Sequence, residues 1–283
     1  MTKLKPKKRR SRRLRQRRRR RMPINVAASV ITTFALYCGI ASVFAVIRSD
    51  YEMASYWILA AIIADMLDGT IARLTKSVSD FGKELDSLAD MVSFGVAPAV
   101  LIYDAYLLES AEASSLGAPM GSMVAIIFVI CAALRLARYN IYQADRQDAF
   151  IGLPSPAAAG TIASFTLFVQ YFDFRVAYWV LGPLTVALAL LMVSTVRYPN
   201  KTMRVFVLAP RYAVRFLVLC GVGIAVFHYA LQYHPAIVLL PLGMSYVLFG
   251  VVNELYVLLR RKRFGAATES SEETASDVVS DPK

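Results

Sequence analysis

The chain has 283 residues, 57% hydrophobic and 18% charged, with a mean hydropathy of +0.49, which is more apolar surface than a soluble domain can bury. Lys3 to Arg21 supplies 14 of the 32 basic residues, so the formal charge of +12 belongs to one arm and the rest is close to neutral. These figures exclude an ordinary water-soluble globular protein, and three cysteines in separate apolar stretches (Cys38, Cys131, Cys220) exclude a disulfide framework or a Cys-x-x-Cys site.

In chain order, residues 1–22 form a basic arm too charged to pack. It reads as a juxtamembrane segment on anionic lipid headgroups, each cation near the surface contributing about 1 kcal/mol. Nucleic-acid binding is not expected, because no aromatic is interleaved with the arginines. Residues 23–263 read as a transmembrane domain. A helix needs about 20 apolar residues to cross the hydrocarbon, and eight candidates follow, at roughly 24–47, 52–67, 85–107, 119–137, 156–174, 176–196, 212–232 and 235–259. The expected fold is therefore an all-α integral membrane protein of about eight spans. Residues 264–283, rich in Ser, Thr, Glu and Asp, read as an acidic disordered tail.

Basic loops stay in the cytoplasm. The arm, the 68–84 loop (Arg73, Lys76, Lys83), the 135–148 region, the 197–215 loop and the Arg260–Arg263 run fall on one side if there are eight spans. Both termini are then cytoplasmic, and an odd number of spans would break the pattern.

The chemistry is concentrated in residues 65–90. Asp65 and Asp68, spaced i, i+3, close one span, and Asp86 and Asp90, spaced i, i+4, open the next, so each pair projects from one helix face. A short connection keeps the helices antiparallel and lets four carboxylates converge. Like charges so placed repel unless a cation holds them. All-oxygen ligands select a hard ion, Mg²⁺, Mn²⁺ or Ca²⁺, over zinc, with Mg²⁺ or Mn²⁺, one or two ions, expected here. Ions held by few carboxylates complete their shell with substrate phosphate, and Arg73 adds a fork-shaped phosphate donor. Gly69, Ala72 and Gly82 leave room for a bulky ligand near the backbone. Single acids at span ends often only cap helices or sit in headgroup water; four at paired spacings point to a site.

The pattern Asp65-x2-Asp68-Gly69-x2-Ala72-Arg73-x8-Gly82-x3-Asp86-x3-Asp90 resembles the complete signature of the CDP-alcohol phosphatidyltransferases. The resemblance implies a six-helix membrane core, here with two added C-terminal helices, usually dimeric. It further implies that Asp65, Asp68, Asp86 and Asp90 hold divalent metal, that Asp90 is the general base, and that Gly69, Ala72, Arg73 and Gly82 surround the cytidine diphosphate. Ser87–Ala99, Ala133–Asn140, Gly152–Gly160 and Met192–Asn200 are similar to the phosphatidylserine synthase branch. The first span departs from many relatives, with Ala28 and Ser29 where a Pro-Asn precedes the threonine aligned with Thr32, and no role in nucleotide binding is expected of it.

Arg135 and Arg138, three residues apart on one helical face, with Asn140, could meet a carboxylate or phosphate, or could be ordinary anchoring cations. Ser194 and Arg197 recur at the end of the sixth span in similar terms, and Gly152, Pro154 and Pro156 read as a rigid re-entry turn. The expectation is an enzyme of the cell (inner) membrane with a cytoplasmic active site, moving the phosphatidyl group from CDP-diacylglycerol to L-serine with release of CMP. The same chemistry on glycerol-3-phosphate, inositol or choline is the nearest alternative. A transporter or a lipid-bound tether is the alternative outside enzymes.

Overall fold

In the computed structural model the described residues are 26–74, 80–107, 117–142, 150–173, 178–198, 235–254 and 256. The basic arm, the acidic tail, the 212–232 span and Cys220 lie outside them. At both ends of several helices only the backbone is described, Ala72, Arg73 and Arg197 among those residues.

Helix α1 (Val26–Ile47) and α2 (Tyr51–Leu74) are 22 and 24 residues long, about 33 and 36 Å at 1.5 Å per residue, enough for a hydrocarbon core of about 30 Å. They form a tight antiparallel pair across a turn in which Ser49 takes a left-handed φ of 58°. The third helix, α3, is composite: Asp80–Asp90, a π-helical stretch Met91–Val96, Ala97–Ile102, and a second π stretch Tyr103–Leu107. Pro98 explains the first irregularity, because it has no N–H to give the carbonyl of Phe94 one turn earlier. Helix α4 is Gly117–Tyr142, α5 is Ser155–Phe172, α6 is Tyr178–Val193 and α7 is Ala236–Glu254. A two-residue antiparallel ladder, β1 (Phe150–Ile151) with β2 (Arg197–Tyr198), ties the lead-in of α5 to the exit of α6.

The middle of α3 is the hub, packed on α1, α2, α4 and α5, with Phe94 fully buried. Small residues let these helices approach: Ala54, Ala61, Ala97, Ala132, Ala158 and Ala163 are buried. The closest crossing is α1 on α3, where a Cβ on Gly39 would lie 2.8 Å from Ser93 Cα. Ser93 Oγ donates to Ala35 O at 2.9 Å across that crossing. The outside is the reverse of a soluble protein, with Phe34, Phe44, Ile63, Met66, Ile130 and Leu190 all exposed. A contiguous apolar exterior of this kind belongs in lipid.

Among the described residues five helices are long and apolar enough to cross a membrane, within Ser29–Ile47, Tyr51–Ile71, Phe81–Leu107, Met120–Ile141 and Ala236–Glu254, and α6 adds the shorter apolar stretch Val180–Val193. Helix α5 occupies the fifth expected span but is less apolar, because it is an interior helix carrying Thr161, Ser164 and Thr166. Thr161 and Thr166 return their hydroxyls to carbonyls one turn back, which makes them tolerable in hydrocarbon. Two boundaries correct the sequence reading. Residues 68–74 and 80–84, expected in a loop, are helical, so the acids lie inside their helices and do not end them. The fourth span also continues past residue 137 to Tyr142, placing Arg138 and Asn140 on helix.

Candidate active site

Asp65 and Asp68 lie 14 and 17 residues into α2. The helix runs on because the pair faces inward while the residues between them face out: Asp68 is 5% exposed, Met66 63% and Leu67 48%. Asp86 and Asp90 lie in the first segment of α3, whose main contacts are with α1. This fold brings one carboxylate oxygen each of Asp65, Asp68 and Asp86 within 4.8 Å of one another. Two ionised carboxylates at that distance repel by roughly 3.5 kcal/mol at an effective dielectric of about 20. Three partly buried oxygens so close are a donor set for a hard divalent cation, and a cation there would remove the repulsion. Asp90 lies one turn beyond Asp86, next to the π-helical stretch, and is not among the three whose oxygens lie within that distance.

Thr32 is the residue that sequence reasoning missed. Its hydroxyl, 5% exposed on α1, donates to Asp68 Oδ2 at 2.7 Å. That bond fixes the carboxylate plane of Asp68 and still leaves acceptor lone pairs for a ligand. The next residue, Thr33, only back-bonds to Ser29 O at 2.7 Å, as threonines in apolar helices commonly do. The likeness of the first span to relatives aligns Thr32, not Thr33, with their threonine, and that is the signal in the sequence that separates the two.

Arg135 is 8% exposed on α4, and its charge acts on Asp90 and Asp65. Its Nη1 donates to Ser155 Oγ at 2.7 Å, at the N-terminus of α5, while its buried Nε has no hydrogen-bond partner among the described residues. A buried guanidinium with a donor to spare, beside a helix N-terminus, suits an anionic group. Arg138 is used differently. Its Nη1 donates to Val193 O at 2.6 Å and its Nη2 to Met192 O and Ser194 O at 3.2 and 3.1 Å, so it closes the C-terminus of α6. Ser194 belongs to the same junction, its hydroxyl donating to Leu191 O at 2.8 Å. Asn140 Nδ2 donates to Ser87 Oγ at 2.9 Å, joining α4 to α3 beside Asp86. Arg197 lies on the backbone of β2, paired with Ile151.

The re-entry turn expected at Gly152–Pro156 is present. Gly152 has a φ of +84°, and a Cβ there would strike the carbonyl oxygen of Met192 and the Arg138 guanidinium; Pro154 then caps α5. The space around Gly69 is open, with nothing within 4 Å of where a Cβ would stand, and Gly82 lies in the first turn of α3. Ala72 and Arg73 are in the last turn of α2. The two described cysteines, Cys38 and Cys131, are buried free thiols.

Comparison with known proteins agrees with this geometry. Residues 25–196 match the model of the CDP-alcohol phosphatidyltransferase family. A protein of Methanocaldococcus jannaschii named CDP-diacylglycerol–serine O-phosphatidyltransferase is 37% identical over 196 residues, 69% of this chain and 81% of that one. A Helicobacter pylori protein of the same name is 38% identical over 187 residues, 63% of this chain and 75% of its own. An archaetidylserine synthase of Methanothermobacter thermautotrophicus is 36% identical over 164 residues, 57% and 64% of the two chains. The matched segment contains α1 to α6 and every acid of the cluster, and the chain belongs to the CDP-alcohol phosphatidyltransferase family of membrane proteins.

Proposed function

We propose that the protein transfers the phosphatidyl group of CDP-diacylglycerol to the hydroxyl of L-serine, releasing CMP. The observation that carries this reading is the three-carboxylate cluster of Asp65, Asp68 and Asp86, with Asp90 standing one turn away and a buried Arg135 whose charge reaches Asp90. The relatives' names support the acceptor: they differ in the lipid, phosphatidyl or archaetidyl, and share serine.

Asp65, Asp68 and Asp86 would hold a divalent cation, Mg²⁺ or Mn²⁺, which would supply positive charge against the pyrophosphate and the departing CMP. Gly69, Ala72, Arg73 and Gly82 line the approach of the cytidine diphosphate. Asp90, free of the triple, takes the proton of the serine hydroxyl while its oxygen attacks the lipid-linked phosphorus. The new P–O bond forms as the bond to the CMP oxygen breaks, with no covalent enzyme intermediate. Arg135 binds the carboxylate of serine through its spare Nε, Ser155 orienting the guanidinium and Asn140 holding α4 against α3. Arg138, with Ser194, keeps α6 in place for this site. The basic loops put this end of the bundle, and both termini, at the cytoplasmic face of the inner membrane.

The test is CMP release from CDP-diacylglycerol by the purified protein in detergent with Mn²⁺ or Mg²⁺. Serine is compared with glycerol-3-phosphate, inositol and choline, and an ether-linked CDP-lipid is run alongside. Serine-dependent release abolished by chelator is expected. Release with another alcohol overturns the acceptor, and no release from folded protein overturns the reaction.

A further inference from the structure

A groove of about 580 Å³ runs between α2 and α5 on one side and α7 on the other, its walls including Leu59, Gly160, Ser164, Leu242, Tyr246 and Phe249. That volume lies within the range of about 300–1,000 Å³ usual for ligand pockets. The α7 wall lies outside the family match, which ends at residue 196. The walls of the groove are almost wholly apolar. They include Ala157, two residues beyond Ser155, whose hydroxyl accepts from the Arg135 guanidinium at 2.7 Å, so the groove opens beside the site. From Tyr246 the wall continues seven residues back along α7 to Leu239, about 10 Å at 1.5 Å per residue. Across the groove, Leu59 lies six residues before Asp65 on α2, so the groove leads away from the acids. In its middle, α7 closes onto α5, where a Cβ on Gly243 would lie 3.1 Å from Thr161 Oγ1.

We propose that this groove takes one acyl chain of the lipid donor and that α7 sets the chain-length preference, a reading that rests on CDP-diacylglycerol being the donor. The continuity with the site decides the occupant. A chain seated here is tethered to a diphosphate held at the aspartate end, while its hydrocarbon meets the apolar wall.

The test uses Ser245→Phe on α7 and Ala157→Leu on α5, which add bulk to opposite walls. Ala125→Leu, in a separate apolar groove of about 290 Å³ between α3 and α4, is the control. The quantity read is kcat/KM for CDP-dioleoylglycerol over that for CDP-dioctanoylglycerol. Both wall variants should lower this ratio about tenfold, the effect of two buried methylenes displaced, and the control should not move it. An unmoved ratio in folded wall variants overturns the proposal. Independently of turnover, CDP-diacylglycerol with a diazirine at the chain end should label α7 peptides in excess over a diazirine phosphatidylcholine. Equal labelling by both lipids means ordinary annular lipid, and no labelling by either means another cover, such as a second copy; each overturns the proposal. Absence of serine-dependent CMP release from wild type with both donors refutes the proposed reaction instead, and the labelling still reports on the groove.

Discussion

Replacing Thr32 by valine removes one hydroxyl and keeps the branched shape, so it isolates the 2.7 Å bond to Asp68 Oδ2. Both residues are 5% exposed, so water cannot replace the lost donor. A hydrogen bond to a charged partner contributes about 1.5–3 kcal/mol. At about 1.4 kcal/mol per tenfold, that is a factor of roughly 10 to 100 in the affinity of the cluster for its cation, the range seen when an outer hydrogen-bond partner of a ligand is removed. The assay is a Mn²⁺ titration of serine-dependent CMP release, with direct Mn²⁺ binding by electron paramagnetic resonance as the readout independent of turnover. Thr32→Val should shift both midpoints upward by that factor, and Thr32→Ser should restore most of the shift. A Thr32→Val protein that melts like wild type and binds Mn²⁺ as tightly would refute the claim that this hydroxyl organises the site.

Asp90→Asn is expected to abolish turnover with Mn²⁺ binding retained, because Asp90 stands outside the three-oxygen cluster, whereas Asp86→Asn should lose both; loss of Mn²⁺ binding in Asp90→Asn would make it a ligand. Arg138→Ala removes three bonds to the carbonyls that close α6 and should destabilise the protein by about 3 kcal/mol. Thermal melting in detergent followed by circular dichroism checks this, and an unchanged melt refutes the strut. Gly39→Ala forces α1 off α3 at Ser93 and should cost about 1–3 kcal/mol by overpacking. A melt equal to wild type would show that this crossing has room to spare.

Much of the molecule was legible because membranes constrain sequences strongly. A hydrocarbon core demands long apolar runs, so α1 to α4 and α7 could be read from hydropathy, and paired acids are so costly there that four of them marked the site. Periodicity also placed Asp65 with Asp68 and Asp86 with Asp90 on single faces. Hydropathy misled where burial in protein replaces burial in lipid. The acids were expected at helix ends, yet α2 continues six residues past Asp68, since an inward-facing carboxylate needs no helix end to reach polar company.

What the sequence determined by itself is the class of molecule and the segment in which its acids gather, both properties of local pattern. Only the tertiary structure decided which residues cooperate across helices. Thr32 and Asp68 are 36 residues apart, and Arg135 and Ser155 are 20 apart. Arg135 and Arg138 look equivalent along α4, but the roughly 60° offset between positions three residues apart gives one guanidinium Ser155 at the start of α5 and the other the end of α6. The separation of Asp90 from the three-carboxylate cluster has the same origin. Carboxylate placement within a few ångströms depends on the packing of α1, α2 and α3, and no spacing along one helix encodes that distance.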